Sequence, residues 1–279
     1  MAEVERKGFR EEIGHGLDPR LWRRRTRFTL GFSAVLIVFL IISLLRTPTD
    51  ESTHPALIIE SIGQGRYEDA LVALDKLEAL YSDQALYGEI AWIEAERGFV
   101  YLQQGRYAGG LELRDRAISL DPTQANYYNW RALNFFRLNR MADAEADFTA
   151  ALELESDNYL WYLDRGYFYL DSGNFESALL DAHAAINLMP DEPMAYGLRA
   201  DANRRLGRNV VALFDLDTLV DLAPDDWQPY ITRARVKSDL GDADGAIADL
   251  DAALALGPTL EGLEKIDLTR AAILGGTVN

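Results

Sequence analysis

The chain has 279 residues, 48% of them hydrophobic, enough for a sizeable folded core and too many for a disordered polymer. Its formal charge of −17 is uneven: residues 1–45 hold eight Lys or Arg and five Asp or Glu, whereas residues 46–279 hold twenty and forty. An acidic body of this kind repels phosphate backbones, so no nucleic acid is expected as a partner, and the lack of any cysteine excludes disulfides, thiolate metal sites and a thiol nucleophile.

Residues 1–27 mix charges with Gly14 and Gly16 and read as an N-terminal tail. Phe28 to Leu45 are uncharged and bracketed by Arg27 and Arg46; as a helix they span about 27 Å, close to the roughly 30 Å of a bilayer's hydrocarbon core. A buried helix of a soluble domain would show an amphipathic side, and this stretch shows none. A cleaved signal peptide would carry a shorter apolar region followed by a small-x-small site, which RTPTDESTHPA lacks. The expectation is a single uncleaved transmembrane helix over 28–45. Arg20, Arg23, Arg24, Arg25 and Arg27 precede it and only Arg46 follows, which keeps the N-terminus in the cytoplasm and sends the acidic body across the membrane. In a bacterium that is an inner-membrane protein with a periplasmic domain. Residues 46–54 form a polar linker.

Beyond the linker, one period dominates. Tyr128, Tyr162, Tyr196 and Tyr230 recur 34 residues apart, as do Gly98, Ala132, Gly166, Ala200 and Ala234, and then Ala117, Ala151, Ala185, Leu219 and Ala253. Units close on the related phrases AISLDP, ALELES, AINLMP, LVDLAP and AALALGP. Within a unit, apolar and small residues follow helical spacing twice, with a turn such as Ser172-Gly173-Asn174 between the two runs. The prediction is a helix, a tight turn, a second helix and a break at Pro122, Pro190, Pro224 or Pro258.

On these residues the chain resembles the tetratricopeptide repeat family, whose 34-residue pattern places a large residue, Gly or Ala, Tyr, then Gly, Ala, Phe, Ala and Pro in that order. The resemblance implies an all-α fold, a right-handed α-solenoid of helix hairpins preceded here by the transmembrane helix. Five units fill 91–258. Residues 55–90 read as a divergent first unit, because Gly65 and Gly105 stand 40 residues apart. Residues 259–279 read as a capping helix and tail, with apolar positions at Leu260, Leu263, Ile266, Ile273 and Leu274.

Arg131, Arg165, Arg199 and Arg233 also recur, each followed sixteen residues later by Asp147, Asp181, Asp215 or Asp249. Such pairs could clamp a ligand or serve catalysis. Their recurrence in every unit favours architecture, an ion pair docking one helix of a hairpin on the other. His15, His54 and His183 have neither metal-site nor triad spacing, and no phosphate-binding glycine loop appears. No catalytic residue, metal site or cofactor is expected, and the chain reads as a non-enzyme.

The resemblance also implies where a partner binds. The first helix of each unit in that family lines a concave face that receives protein segments. The corresponding residues here are Trp92 and Phe99, then Asn126, Asn129, Leu133 and Arg137, then Tyr167 and Asp171, and finally Asp201, Arg204, Arg205 and Arg235. They vary from unit to unit while the packing residues recur. The arginines would either receive an acidic group of a partner segment or neutralise the surrounding acid. The functional expectation is a membrane-anchored scaffold or assembly factor that binds a protein or peptide; the alternative is a permanent accessory subunit of a larger membrane complex.

Overall fold

The computed structural model describes residues 55–82 and 86–276. The expected transmembrane helix, the tail before it and the linker after it lie outside the described residues. Among the described residues no helix is long and apolar enough to cross a membrane.

Thirteen helices and no strand occur in the described residues. The described residues divide between two compact units, which part between Leu154 and Glu155. The first holds α1 (Pro55–Gly63), α2 (Tyr67–Ser82), α3 (Tyr87–Gln103), α4 (Tyr107–Leu120), α5 (Ala125–Arg137) and α6 (Met141–Leu154). The second holds α7 (Tyr159–Ser172), α8 (Phe175–Leu188), α9 (Pro193–Arg205), α10 (Asn209–Leu222), α11 (Trp227–Asp239), α12 (Ala243–Ala255) and α13 (Leu260–Gly276). Consecutive helices pair as hairpins, and within each unit every hairpin packs on the next.

The hairpin turn has a local cause. At the end of α7, Gly173 takes φ +82°, so its N–H donates to the Leu170 carbonyl while that of Asn174 reaches back to Tyr169, closing the helix. The same turn after α5 is made by Asn139 at φ +60°, asparagine being one of the few side chains that tolerates this region. After the Gly173 and Gly241 turns the next helix starts on a side-chain cap: Asn174 accepts from the Ser177 N–H, and Asp242 from that of Gly245.

Small residues set the helix separation. Ala132, Ala200 and Ala234 are buried where the first helix faces the second, and at Gly166 even a methyl group would lie 2.4 Å from Leu198 Cδ2. Leu163, Ala178, Ala182, Ala185, Ala195 and Leu198 make one continuous core across α7, α8 and α9. The recurring tyrosines lie at the edge of it. Tyr128, Tyr162, Tyr196 and Tyr230 each donate from the phenol to the carbonyl six residues back, at 3.0–3.3 Å, fastening the start of the hairpin to the segment before it.

The 40-residue interval between Gly65 and Gly105 is accommodated by longer helices. Four residues separate Ser82 from Tyr87, as four separate Leu120 from Ala125, but α2 has 16 residues against 14 in α4, and α3 has 17 against 13 in α5. The final helix α13 packs on α11 and α12, with Ile266 and Ile273 joining Ile231, Leu250 and Ala253 in one core. Two of its expected apolar contacts are corrected, since Leu260 and Leu274 are exposed. The buried face instead runs through Gly262, Ile266, Thr269 and Ile273, and Gly262 is there because a methyl group would meet Trp227 at 2.9 Å.

Candidate protein-binding surface

The recurring Arg and Asp residues meet. Arg131 donates from Nε and Nη2 to the two carboxylate oxygens of Asp147 at 2.7 and 2.8 Å, and Arg165 binds Asp181 the same way at 2.8 and 2.7 Å. Arg199 with Asp215 and Arg233 with Asp249 repeat the arrangement. The third guanidinium nitrogen reaches back to the preceding hairpin: Arg131 to Asp115 at 2.6 Å and Arg233 to Asp217 at 2.9 Å. At the same place Arg199 meets His183 Nδ1 at 3.1 Å, where burial and the guanidinium hold the imidazole's pKa low, so the neutral ring accepts. Each arginine therefore joins both helices of its own hairpin and, in these three cases, the hairpin before it.

The electrostatics follow from this geometry. The hydrogen bonds to Asp147, outweighing burial, raise the pKa of Arg131. Burial raises that of Asp181, and Arg165 only partly offsets it. These pairs are bidentate and largely buried, so docking of the two helices of a hairpin accounts for them.

One hairpin departs from the rule. At the repeat position of the tyrosines α3 carries Glu94, and the aspartate position of α4 is Leu113. Arg97 then turns to α2 and binds Asp75 at 2.6 Å and Glu78 at 2.5 Å, while Glu94, fully buried, lies 2.8 Å from Arg116. Arg114 occupies the place held elsewhere by Phe148, Ala182, Leu216 and Leu250, and it too is fully buried. Its guanidinium lies 4.6 Å from the centre of the Trp130 ring, packs against Gly98 and has no hydrogen-bond partner among the described residues. Burial lowers its pKa to about 9, leaving it charged at neutral pH, and burial pushes Glu96, whose charge it faces, up to about 7. The sequence reading missed this cluster, although aligning Arg114 with Phe148, Leu216 and Leu250 at the 34-residue period exposes it.

The residues expected to face a partner are divided. In the first unit Phe99, Asn129 and Leu133 are buried, a correction: Phe99 belongs to the core around Ile93 and Val100, 6.0 Å from the Trp130 ring. Trp92 is half-buried against the same core, Asn126 is half-buried and Arg137 is exposed. In the second unit α7 packs beside α9, and Tyr167, Asp171, Asp201 and Arg204 are half-buried while Arg205 is exposed. Tyr167 donates to the Met194 carbonyl at 3.2 Å, and Arg204 pairs with Asp201 at 3.2 Å. Arg235 is exposed, but its Nε donates to Thr269 of α13 at 3.3 Å, so the capping helix engages it.

Among the described residues no group of three or more His, Asp or Glu is placed to hold a metal ion. His15 and His54 lie outside the described residues, and His183 is committed to Arg199.

A family model described as tetratricopeptide repeat matches residues 96–159, 131–186 and 163–226. Residues 96–226 are tetratricopeptide repeats. A tetratricopeptide repeat protein from Parabacteroides merdae has the same fold, with a TM-score of 0.59 and 20% identity over 82% of this chain and 89% of that one. The repeats are 30% identical over 106 residues to the TPR repeat-containing thioredoxin TDX of Arabidopsis thaliana, covering 38% of this chain and 28% of that protein. They are 34% identical over 100 residues to RNA polymerase II-associated protein 3 of Xenopus laevis, covering 36% of this chain and 15% of that protein. The matched repeats thus span well under half the length of these two relatives.

Proposed function

We propose that the chain is a non-enzymatic scaffold whose first-helix surfaces hold a segment of a partner protein, anchored in a membrane by residues 28–45. The observation that carries this reading is the contrast within one repeat. Positions that pack recur as Gly, Ala, Leu, Arg and Asp, whereas positions on the outer side of the first helix read Tyr167 and Asp171 on α7 but Asp201, Arg204 and Arg205 on α9. Part of that variety serves packing, since Tyr167 donates to the Met194 carbonyl, and the rest suits a partner. Arg204 and Arg205 concentrate positive charge within an acidic body, which suits an acidic group on an extended or helical segment. The run of arginines before the apolar segment favours a cytoplasmic N-terminus and a repeat domain on the far side of the membrane.

Replacing Arg204 and Arg205 together with Glu tests the surface. The expected result is loss of the protein that copurifies with the full chain from membranes in mild detergent; unchanged recovery overturns the arginine surface. Partners that stay stoichiometric in high salt would replace the assembly-factor reading with a permanent subunit. A reporter fused after Asn279 should be active outside the cytoplasm, and activity restricted to the cytoplasm reverses the orientation.

A further inference from the structure

At the packing position that Leu74, Phe148, Ala182, Leu216 and Leu250 fill in the second helices of the other hairpins, α4 carries Arg114, and it is fully buried. None of its three guanidinium nitrogens has a hydrogen-bond partner among the described residues. Docking of the hairpin does not call for a charge there, since the other hairpins dock on apolar side chains. An enclosed guanidinium without hydrogen bonds opposes folding, and such a departure from an otherwise regular repeat points to a role outside the fold.

Arg114 lies one side chain below the first-helix surface. The Trp130 ring of α5 is 4.6 Å from its guanidinium, Glu96 of α3 faces it with its charge, and both of these residues are half-buried. Tyr127, another ionisable group beside it, is buried, and burial keeps the phenol neutral. Glu96 is a loose cover. It forms no hydrogen bond to Arg114, and burial brings its pKa to about 7, so at neutral pH it is partly protonated. At Gly98 there is no spare volume, since a methyl group would already lie 2.8 Å from Nε. A ligand therefore reaches the guanidinium by exchanging with the Glu96 side chain, and the group that exchanges without changing the size or charge of what is enclosed is another carboxylate.

We propose that Arg114 is a receptor for the carboxylate of an aspartate or glutamate side chain in the partner segment, with Glu96 as the gate that swings out to admit it. This rests on the partner-binding role of the first helices proposed above and adds to it an enclosed anchor in the first unit. Trp130 engages the guanidinium through its ring and takes none of its N–H groups, so these remain for a carboxylate. Glu96 is tethered to α3 and faces the guanidinium without bonding to it, whereas a carboxylate carried by a partner is free to approach in the plane of the fork. Arg114 is already out of water in the free chain, so binding adds only the desolvation of the incoming group.

The probe is an array of N-acetylated, C-amidated peptides with varied neighbours around one fixed central residue, Glu, Asp, Gln or Asn, incubated with the full chain in mild detergent. Peptides centred on Glu or Asp should be retained and those centred on Gln or Asn should not. Arg114→Leu should lower retention at least about tenfold, and Arg114→Lys, which keeps the charge but not the planar fork, should keep only part of it. Glu96→Ala should raise retention severalfold where Arg114 is present and change nothing in the Arg114→Leu background. The urea midpoint of each variant is read alongside, and Arg114→Leu should match or exceed the native chain, so that lost retention is not lost folding. Should it fall lower, the rise in Glu96→Ala decides, because unfolding does not mimic a gain. Retention indifferent to Arg114→Leu overturns the proposal, as does a fall in Glu96→Ala or retention of no peptide at all. Retention confined to a companion set with free C-termini and no acidic side chain also overturns it. If Arg204→Glu with Arg205→Glu abolishes retention while Arg114→Leu does not, the scaffold reading stands and this anchor falls.

Discussion

The hairpin of α3 and α4 and that of α9 and α10 are built on one plan and filled with opposite chemistry. Between α9 and α10 the core is Ala200, Ala212 and Leu216, and Arg199 is bound to Asp215 of its own hairpin. Between α3 and α4 the corresponding places hold Gly98, Gly110 and Arg114, and Leu113 has displaced the aspartate, so Arg97 binds α2 instead. The helices form in both cases, because the turn and the small residues that fix their separation are kept. What changes is which neighbour the arginine clamps, and whether the interior holds a charged or an apolar side chain. Gly98 shows the dependence: a methyl group there would lie 2.8 Å from Arg114 Nε, so the glycine makes room for the guanidinium.

Removing a satisfied clamp should give the largest effect. Asp181→Ala leaves the half-buried Arg165 without its bidentate partner, and a loss of about 3–5 kcal/mol is expected, read as a lower urea midpoint. Giving α4 the apolar interior of α10 should act in the other direction. Arg114→Leu combined with Glu96→Gln removes a buried guanidinium that has no hydrogen bond and the half-buried carboxylate whose charge it faces, and a gain of about 1–4 kcal/mol is expected. A loss instead would mean that the stacking of Arg114 on Trp130 holds α5 in place, erasing the contrast.

Acidity separates the two hairpins further. Glu96 titrates near 7 in the folded chain against an ordinary 4.5, so the folded form binds the extra proton, and its stabilising contribution is full below pH 4.5 and lost as pH rises to 7. Hydrogen-exchange protection of α3 should therefore fall over that range by more in the native chain than in Glu96→Gln, whereas a parallel decline would assign the effect to Glu94 or Asp181, which burial also raises. The smallest effect concerns the tyrosines. Tyr196→Phe gives up one hydrogen bond to the Pro190 carbonyl, about 0.5–1.5 kcal/mol, detected as faster exchange at the start of α9.

Much of the hairpin architecture is legible because its causes are local and periodic. Gly173, Asn174, Pro193 and the Gly or Ala of each first helix act within a few residues of themselves, and a 34-residue comparison shows them repeating. The Arg and Asp pairs were legible for the same reason, sixteen residues being one hairpin. The binding surface was less so. Leu133 occupies the repeat position of Tyr167, yet it is buried where Tyr167 is half-exposed, because enclosure depends on the size of what packs beside it, and Asn129 shares the buried position of Leu163. Arg235 could not be known to meet Thr269, since α13 lies outside the repeat.

By itself the sequence determined the succession of helices and turns, the acidity of the body and the one apolar segment near the N-terminus, all of which depend on residue type and spacing along the chain. Only the tertiary structure decided that Arg97 serves α2, that Arg114 and Glu94 are enclosed, and that Leu180 and Phe214 stand bare on neighbouring hairpins. Those outcomes depend on which side chains share a volume, and that is fixed by packing between helices.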